Sequence, residues 1–365
     1  MSKLSNLWAH LTGWLFPALA EELDPLTEKH QQFVTVCELA QLDKHMAAYR
    51  GHRLGRRKQP RLDFAKAFVA KAVYDVPTTK AMVERLKFDK TLLRLCGWEF
   101  AEKLPDESTF SRAFAELAKG ELGSVVHAAM IQEHCSEKLV GHISRDSTAI
   151  AAREKAAKRE KKEETPKPKH KRGRPKKGET REAPEPKRLE LQPGRSLQEN
   201  LADLPKGCDW GCKKNSQGKR EWWKGYKAHV DCSDSGIPIS VIVTSASPHD
   251  SQAAIALSQM SSQRVENLYD LMDAAYDAKE IWEFSRSLGH VPIIDRNGHG
   301  QEKLPMDPAT ARRYDERTVV ERFNADLKDN HGGRHVRVRG HLKVQLHLMF
   351  GVIAITGLQL IRLLE

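Results

Sequence analysis

Apolar residues recur at three- and four-residue spacing through residues 25–137, notably in 62–74, 82–86 and 110–117. That period belongs to helices with one buried face, so the first part of the chain reads as all-α. Residues 92–98 predict a helix ended by Gly97, and Leu104-Pro105-Asp106-Glu107-Ser108-Thr109 sets a proline and cap residues ahead of the helix that holds Phe110. Helix, turn and polar-fronted helix fit two readings. One is a helix-turn-helix whose second helix offers Ser108, Thr109, Ser111 and Arg112 to a DNA groove. The other is an ordinary bundle helix with a capped start.

After Leu139 the pattern changes to short runs rich in β-branched residues: 140–144, 226–232 and 237–244, the last two joined by the turn Ser233-Asp234-Ser235-Gly236. Helix 250–263, strand 265–272, helix 278–288, strand 291–294 and helix 313–328 follow. Strands with interposed helices predict an α/β domain with a mixed sheet and flanking helices. Residues 153–188 break into it with Lys, Arg, Glu and Pro and almost no aliphatic side chains, a composition that buries no core. The expected organisation is therefore a helical N-terminal domain (1–138) and an α/β domain (139–152 and 223–365) interrupted by a basic, largely disordered insert (153–222).

Composition sharpens the choice of partner. Among 365 residues, 60 Lys and Arg face 49 Asp and Glu, for a net charge of +11 and a pI near 9.3. A polyanion, nucleic acid above all, is the fitting partner. Inside the insert, Lys171-Arg172-Gly173-Arg174-Pro175-Lys176-Lys177 resembles an AT-hook, with glycine at the groove floor and Arg172 and Arg174 drawn into an A·T minor groove; a solvated basic linker is the alternative. The basic loop 53–61 adds phosphate-neutralising charge. Arg334, Arg337 and Arg339 alternate with Val336 and Val338, as in a DNA-tracking arm or a solvated strand face. Trp210, Trp222 and Trp223 could stack on bases or pack the insert onto the domain. Six cysteines are too sparse for a disulfide framework, which predicts a reducing cytoplasm. Cys208, Cys212 and His229 lack a fourth zinc ligand and read as free thiols and an unrelated histidine. The apolar stretch 11–20 is a poor signal peptide. The tail 348–360 is too short for a membrane span and predicts a buried helix.

Two strands end in carboxylates: 140–144 runs into Asp146 and 265–272 into Asp273. Singly, each would read as a cap or turn residue. The helix around Glu321 says more. Tyr314, Arg317 and Lys328 lie seven before, four before and seven after it, and at about 100° per residue all four fall within an arc of about 60°. Val320, Phe323 and Leu327 fall together on another side, the core face. An ordinary Arg317–Glu321 surface pair accounts for two members of that stripe and leaves the other two without a reason.

The run Tyr314-x2-Arg317-x3-Glu321-x6-Lys328 resembles the YREK signature of bacterial insertion-sequence transposases of the DDE type. Asp146-Ser147-Thr148 and Asp273-x-Ala275-Tyr276 are similar to the contexts of their two aspartates. Gly225-Tyr226-Lys227-Ala228-His229 through Pro248-His249-Asp250-Ser251 is similar to the hairpin between them. The resemblance implies a ribonuclease H-like catalytic domain in which Asp146, Asp273 and Glu321 hold Mg²⁺ or Mn²⁺, two ions, while Tyr314, Arg317 and Lys328 contact DNA. It also implies double-stranded DNA partners (terminal inverted repeats and target), a homodimer in the DNA complex, no membrane, and a bacterial, nucleoid-associated location. Arg112, Arg172, Arg174, Arg337 and Arg339 are further expected DNA contacts. A structure-specific nuclease of the same fold, which cuts without joining, and a DNA-binding protein derived from a transposase are the rival readings.

Overall fold

The computed structural model describes residues 26–49, 58–157, 185–214, 217–298 and 305–363. The hook-like motif with Arg172 and Arg174, the apolar stretch 11–20 and most of the basic loop 53–61 lie outside the described residues.

The first part of the chain folds into α1 (Glu28–Ala40), α2 (Arg61–Val73), α3 (Thr79–Phe88), α4 (Lys90–Cys96), α5 (Glu107–Lys119) and α6 (Leu122–His134). Local chemistry fixes several starts. Thr27, Thr78, Asp89 and Asp106 each accept a first-turn backbone N–H on a side-chain oxygen, which removes an orphan donor at the helix end. Gly97 ends α4 at φ 112°, a conformation in which a Cβ is strained.

The rest builds a mixed, open α/β sheet from β1 (Leu139–Ala152), β2 (Asp209–Lys214), β3 (Arg220–Ser233), β4 (Pro238–Ser245), β5 (Glu266–Met272), β6 (Val291–Ile294) and β7 (His335–Val336). The order is β2-β3-β1-β5-β6, with β4 also on β3 and β7 on β1. β3 is antiparallel to β1, β2 and β4, whereas β1, β5 and β6 run parallel. Parallel neighbours need crossovers, supplied by α9 (Ser251–Ser262) and α10 (Lys279–Ser287). These helices cover one face, where Ala254 and Ile255 meet Met272, Ile281 and Ile294. On the other face Val319, Val320, Phe323 and Leu327 of α12 (Thr318–Asn330) pack on Val230 and Cys232 of β3.

Three expectations change. β1 extends well past Ser144 because β3 pairs along one edge from Ile143 to Ala151, while the other edge is paired by β5 only up to Ser144 and by β7 from Ala151; the polar run Arg145–Thr148 is strand through β3. Residues 185–222, expected within a disordered insert, supply α7 (Arg188–Leu191), α8 (Leu197–Asp203), β2 and the start of β3. Here Leu197, Leu201 and Leu204 dock against Ile242 and Leu257. The single helix expected over 313–328 is two, α11 (Pro308–Asp315) and α12, joined where Arg317, Val319 and Val320 bond to carbonyls three residues back. Tightening from four-residue to three-residue bonding ends one helix and starts the next.

The helical part and the sheet share their core. In the last helix, α13 (His341–Arg362), Leu346, Phe350, Ile353 and Leu360 pack with α1, α2, α5 and α6, while Met349, Val352 and Ile355 pack on α12 and the sheet. A helix apolar all round is a buried one. By length and hydropathy it could cross a membrane, yet 72% of its apolar window is buried in the protein.

Candidate active site

The register between β1 and β5 sets the first two carboxylates. The parallel pairing ends with Ser144 beside Leu271; two residues beyond on each strand stand Asp146 and Asp273, close enough for the charge of Asp273 to raise Asp146. Behind them is a buried brace. Arg145, 1% exposed, sits opposite Asp231 and donates to both its oxygens at 2.7 and 2.8 Å. The guanidinium also reaches the Met272 sulfur at 3.6 Å, and Ser261 of α9 donates to Asp231 at 2.7 Å. The residues just before Asp146 and just before Asp273 are thereby tied to one another. Side chains alternate along a strand, so Arg145 points toward α9 while Asp146 points the opposite way, toward α12. Asp273 also caps the short turn Ala274–Tyr276 by accepting from Ala275 N at 2.9 Å.

The junction between α11 and α12 brings up the third. Ser144 Oγ donates to the Glu316 carbonyl at 3.4 Å, holding the junction against β1. Arg317 then stands between acids: Nη2 donates to Glu321 Oε1 at 2.5 Å and Nη1 lies 3.9 Å from Asp146 Oδ1. Asn324 Nδ2 donates to Asp146 Oδ2 at 3.0 Å. Tyr314 lies under the Arg317 guanidinium, 5.8 Å from ring centre to cation. Asn324–Asp146 and Arg317–Glu321 are thus two bonded pairs, joined by the attraction of Arg317 for Asp146 across 3.9 Å, and the field of Asp146 reaches Lys328. Glu321 itself is 53% exposed.

The electrostatics show one acidic pocket. Burial pushes the Asp146 carboxyl up to about 6; Arg317 and a backbone hydrogen bond pull it down, and Asp273 and Asp250 push it further up. Asp273 is raised by burial and by Asp250 and Asp295, against a backbone hydrogen bond and Arg317. Asp250 behaves differently: burial raises it, but the ammonium of Lys227, His229 and hydrogen bonds from Lys227 and Ser147 outweigh burial and leave it below the ordinary range. Lys227 Nζ binds Asp250 at 2.7 Å and the Pro248 carbonyl at 2.8 Å. Among the described residues no three Asp, Glu, His or Cys side chains stand close enough to ligate one ion. The donor set still fits a hard divalent cation, since it is all oxygen and the charge of Asp273 raises Asp146. Asp146 and Asp273 are the pair the fold brings together; Glu321 is held through Arg317.

Residues 141–356 match the family model described as Transposase DDE domain, and residues 20–116 match Transposase domain (DUF772). The chain belongs to the DDE transposase family. No curated protein and no solved structure matches it. DDE transposases act on DNA and generally use divalent metal ions, which agrees with the donor chemistry of the pocket.

The other expected contacts of this transposase are dispersed. Arg112 is exposed on α5 and bonds back to Ser108 and to Thr109, at 3.0 Å. Arg337 and Lys328 line a cleft of about 560 Å³ with Lys71, Arg153 and Arg334, which places the arm after α12 beside the helical part. Arg339 is exposed two residues further on. His229 is bonded within the sheet to Thr244 at 2.9 Å; Cys208 is buried and Cys212 exposed. Three functional neighbours went unread. Asn324 lies three residues after Glu321 and four before Lys328, so the helical wheel had already set it near the stripe. Asp250 and Lys227 stood in the hairpin motif without a role. Nothing in the sequence marks Arg145 and Asp231 as partners, because they meet across strands.

Proposed function

We propose that this transposase cleaves DNA strands at the terminal inverted repeats of a bacterial insertion sequence and joins them to target DNA, with Asp146, Asp273 and Glu321 as its acidic triad. The observation that carries the reading is the parallel pairing of β1 with β5, which ends just before two half-buried carboxylates, Asp146 and Asp273, the second raising the first, beneath Arg317 and the helix bearing Glu321, Asn324 and Lys328. Two carboxylates on adjacent strands and one on a helix also support a ribonuclease H-like domain. Mg²⁺ or Mn²⁺, two ions held by these acids, would supply the polarisation and charge neutralisation that in-line displacement at phosphorus needs.

The chain's own groups do the rest. Burial raises Asp146 and Asp273, so both gain when a cation or guanidinium draws near. Asn324 fixes the orientation of Asp146 through one oxygen. Arg317, shared between Asp146 and Glu321, is placed to pass to a phosphate oxygen, where its fork gives paired hydrogen bonds. Lys328 is held below its usual range by burial and by the cations Lys213 and Arg334, and a phosphate beside it would relieve that repulsion. Arg337 and Arg339 extend the same positive surface along the DNA, and a dimer would hold two ends together.

The test is Glu321→Gln. Strand cleavage with Mg²⁺ should disappear while binding to the element's ends persists; retained cleavage overturns the assignment. Strand transfer from a supplied 3′-hydroxyl end separates a transposase from a nuclease that cuts without joining.

A further inference from the structure

β2 and the first residues of β3 form a two-stranded ribbon, paired from Asp209↔Gly225 to Lys214↔Arg220. Alternation along the strands puts Trp210, Cys212, Arg220, Trp222 and Lys224 on one face and Gly211, Lys213, Glu221 and Trp223 on the other. The second face is packed at Gly211 and Trp223 and exposed at Lys213 and Glu221, toward the tip. Trp223 lies so close over Gly211 that a Cβ there would come within 2.4 Å of its ring, and its indole N–H donates to the Tyr226 carbonyl at 3.2 Å. The first face is open: Trp210 is 53% and Trp222 62% exposed. Trp210 lies opposite Lys224 and Trp222 opposite Cys212, so the two indoles are diagonal neighbours, within reach of one another.

Charge separates by face as well. The indole-bearing face carries Arg220 and Lys224 and no carboxylate, since Asp209 and Glu221 fall on the opposite face. The ribbon continues β3 beyond the residues that pair with the Asp146 segment of β1, Trp222 standing eight residues from Val230. Two bare indoles among cations alone are a poor surface for water and a good one for nucleic acid.

We propose that the open face of this ribbon binds unpaired DNA bases, with Trp210 and Trp222 stacking on bases and Arg220 and Lys224 meeting phosphates. The inference rests on the reading of the chain as an enzyme that cuts DNA, and names which form of DNA this ribbon holds. Unpaired bases are required because those inside a duplex already have both faces covered. The face lacks Asn, Gln and acidic groups that read base edges, so its binding is tolerant of sequence. A protein surface could also use two tryptophans and an arginine, but a rim of one sign favours the polyanion.

The test uses the full chain in the Glu321→Gln background, so that DNA survives the measurement. Affinity for a single-stranded oligonucleotide and for a blunt duplex is read by fluorescence anisotropy in the parent, in Trp210→Ala/Trp222→Ala, and in Trp210→Phe/Trp222→Phe. Thermal unfolding checks that each remains folded, as exposed positions predict. The alanine pair should lose roughly 10- to 100-fold in single-strand affinity, the phenylalanine pair much less, and duplex affinity should hold. Unchanged single-strand affinity, or an equal loss on duplex, overturns the proposal. A change from dimer to monomer in sedimentation without loss of single-strand affinity does so too, and assigns the face to contact between copies. A parent that binds duplex ends while the tryptophan variants bind single strands unchanged leaves the DNA-cutting reading standing; a parent that binds neither form removes both.

Discussion

Arg145 and Asp231 set the floor of the pocket at the scale of single residues. Both are essentially buried, 1% and 0% exposed, and each satisfies the other. Two charges taken out of water cost more than a hydrophobic pair would, so such a pair secures geometry more than stability. Removing one partner strands a buried charge: Asp231→Ala should lower unfolding free energy by about 3–5 kcal/mol in urea titration, and an apolar double substitution should recover much of it. A neutral outcome for Asp231→Ala would mean that the brace is solvated. Two fully buried histidines make a separate pH prediction. Burial holds His127 down to about 3 and His229 to about 4, both beneath an unfolded value near 6.5. Their contribution is fully present above pH 6.5 and is lost as pH falls through the folded values. Between pH 7 and pH 5 each should cost about 2 kcal/mol of stability. His127→Gln, keeping a donor for the Pro238 carbonyl that His127 meets at 2.8 Å, should flatten its share of the slope. Glu321 and Lys328 on one side of α12 were legible because helical period is local, whereas Tyr314 and Arg317 reach them across the junction with α11; the burial of Arg145 was not, because an arginine beside an aspartate reads as surface until its strand partner is known.

At the scale of elements, α12 is placed by what lies beneath it. Gly351 of α13 lets the two helices close: a Cβ there would come 2.9 Å from both the His331 carbonyl and Leu327. Gly351→Val should push α12 off its bed, lower stability by about 1–3 kcal/mol, and reduce strand cleavage more than end binding. Equal losses in both assays would show that α12 does not set the chemistry. Gly225 explains a motif position in the same way. It sits in β3 at φ 155° with the Ile150 carbonyl where a Cβ would stand, 2.1 Å away, so the glycine before Tyr226 is a condition of the β1–β3 pairing that carries Asp146. Most elements were readable from their periods. The split between α11 and α12 was not, because the Ser144 bond to Glu316 comes from a strand far away in sequence.

Across the whole molecule, the helical part and the sheet are joined through α13, whose side chains feed the cores on both sides. Residues 139–365 expressed alone should therefore expose Leu346, Phe350, Ile353 and Leu360 and fail to fold cooperatively. A dispersed amide spectrum with a sharp thermal transition from that fragment would contradict this. The cleft holding Lys71, Arg153, Lys328 and Arg337 is assembled from both parts, so this cluster of cations also depends on their union. The sequence by itself determined the class of fold, the order of elements, the basic character and the helix that bears Glu321, since each follows from near neighbours along the chain. Tertiary structure alone decided which carboxylates meet, where Arg145 is buried, and that Trp210 and Trp222 share an open face. Strand register and helix docking join residues separated by tens to hundreds of positions, and no local period encodes those pairings.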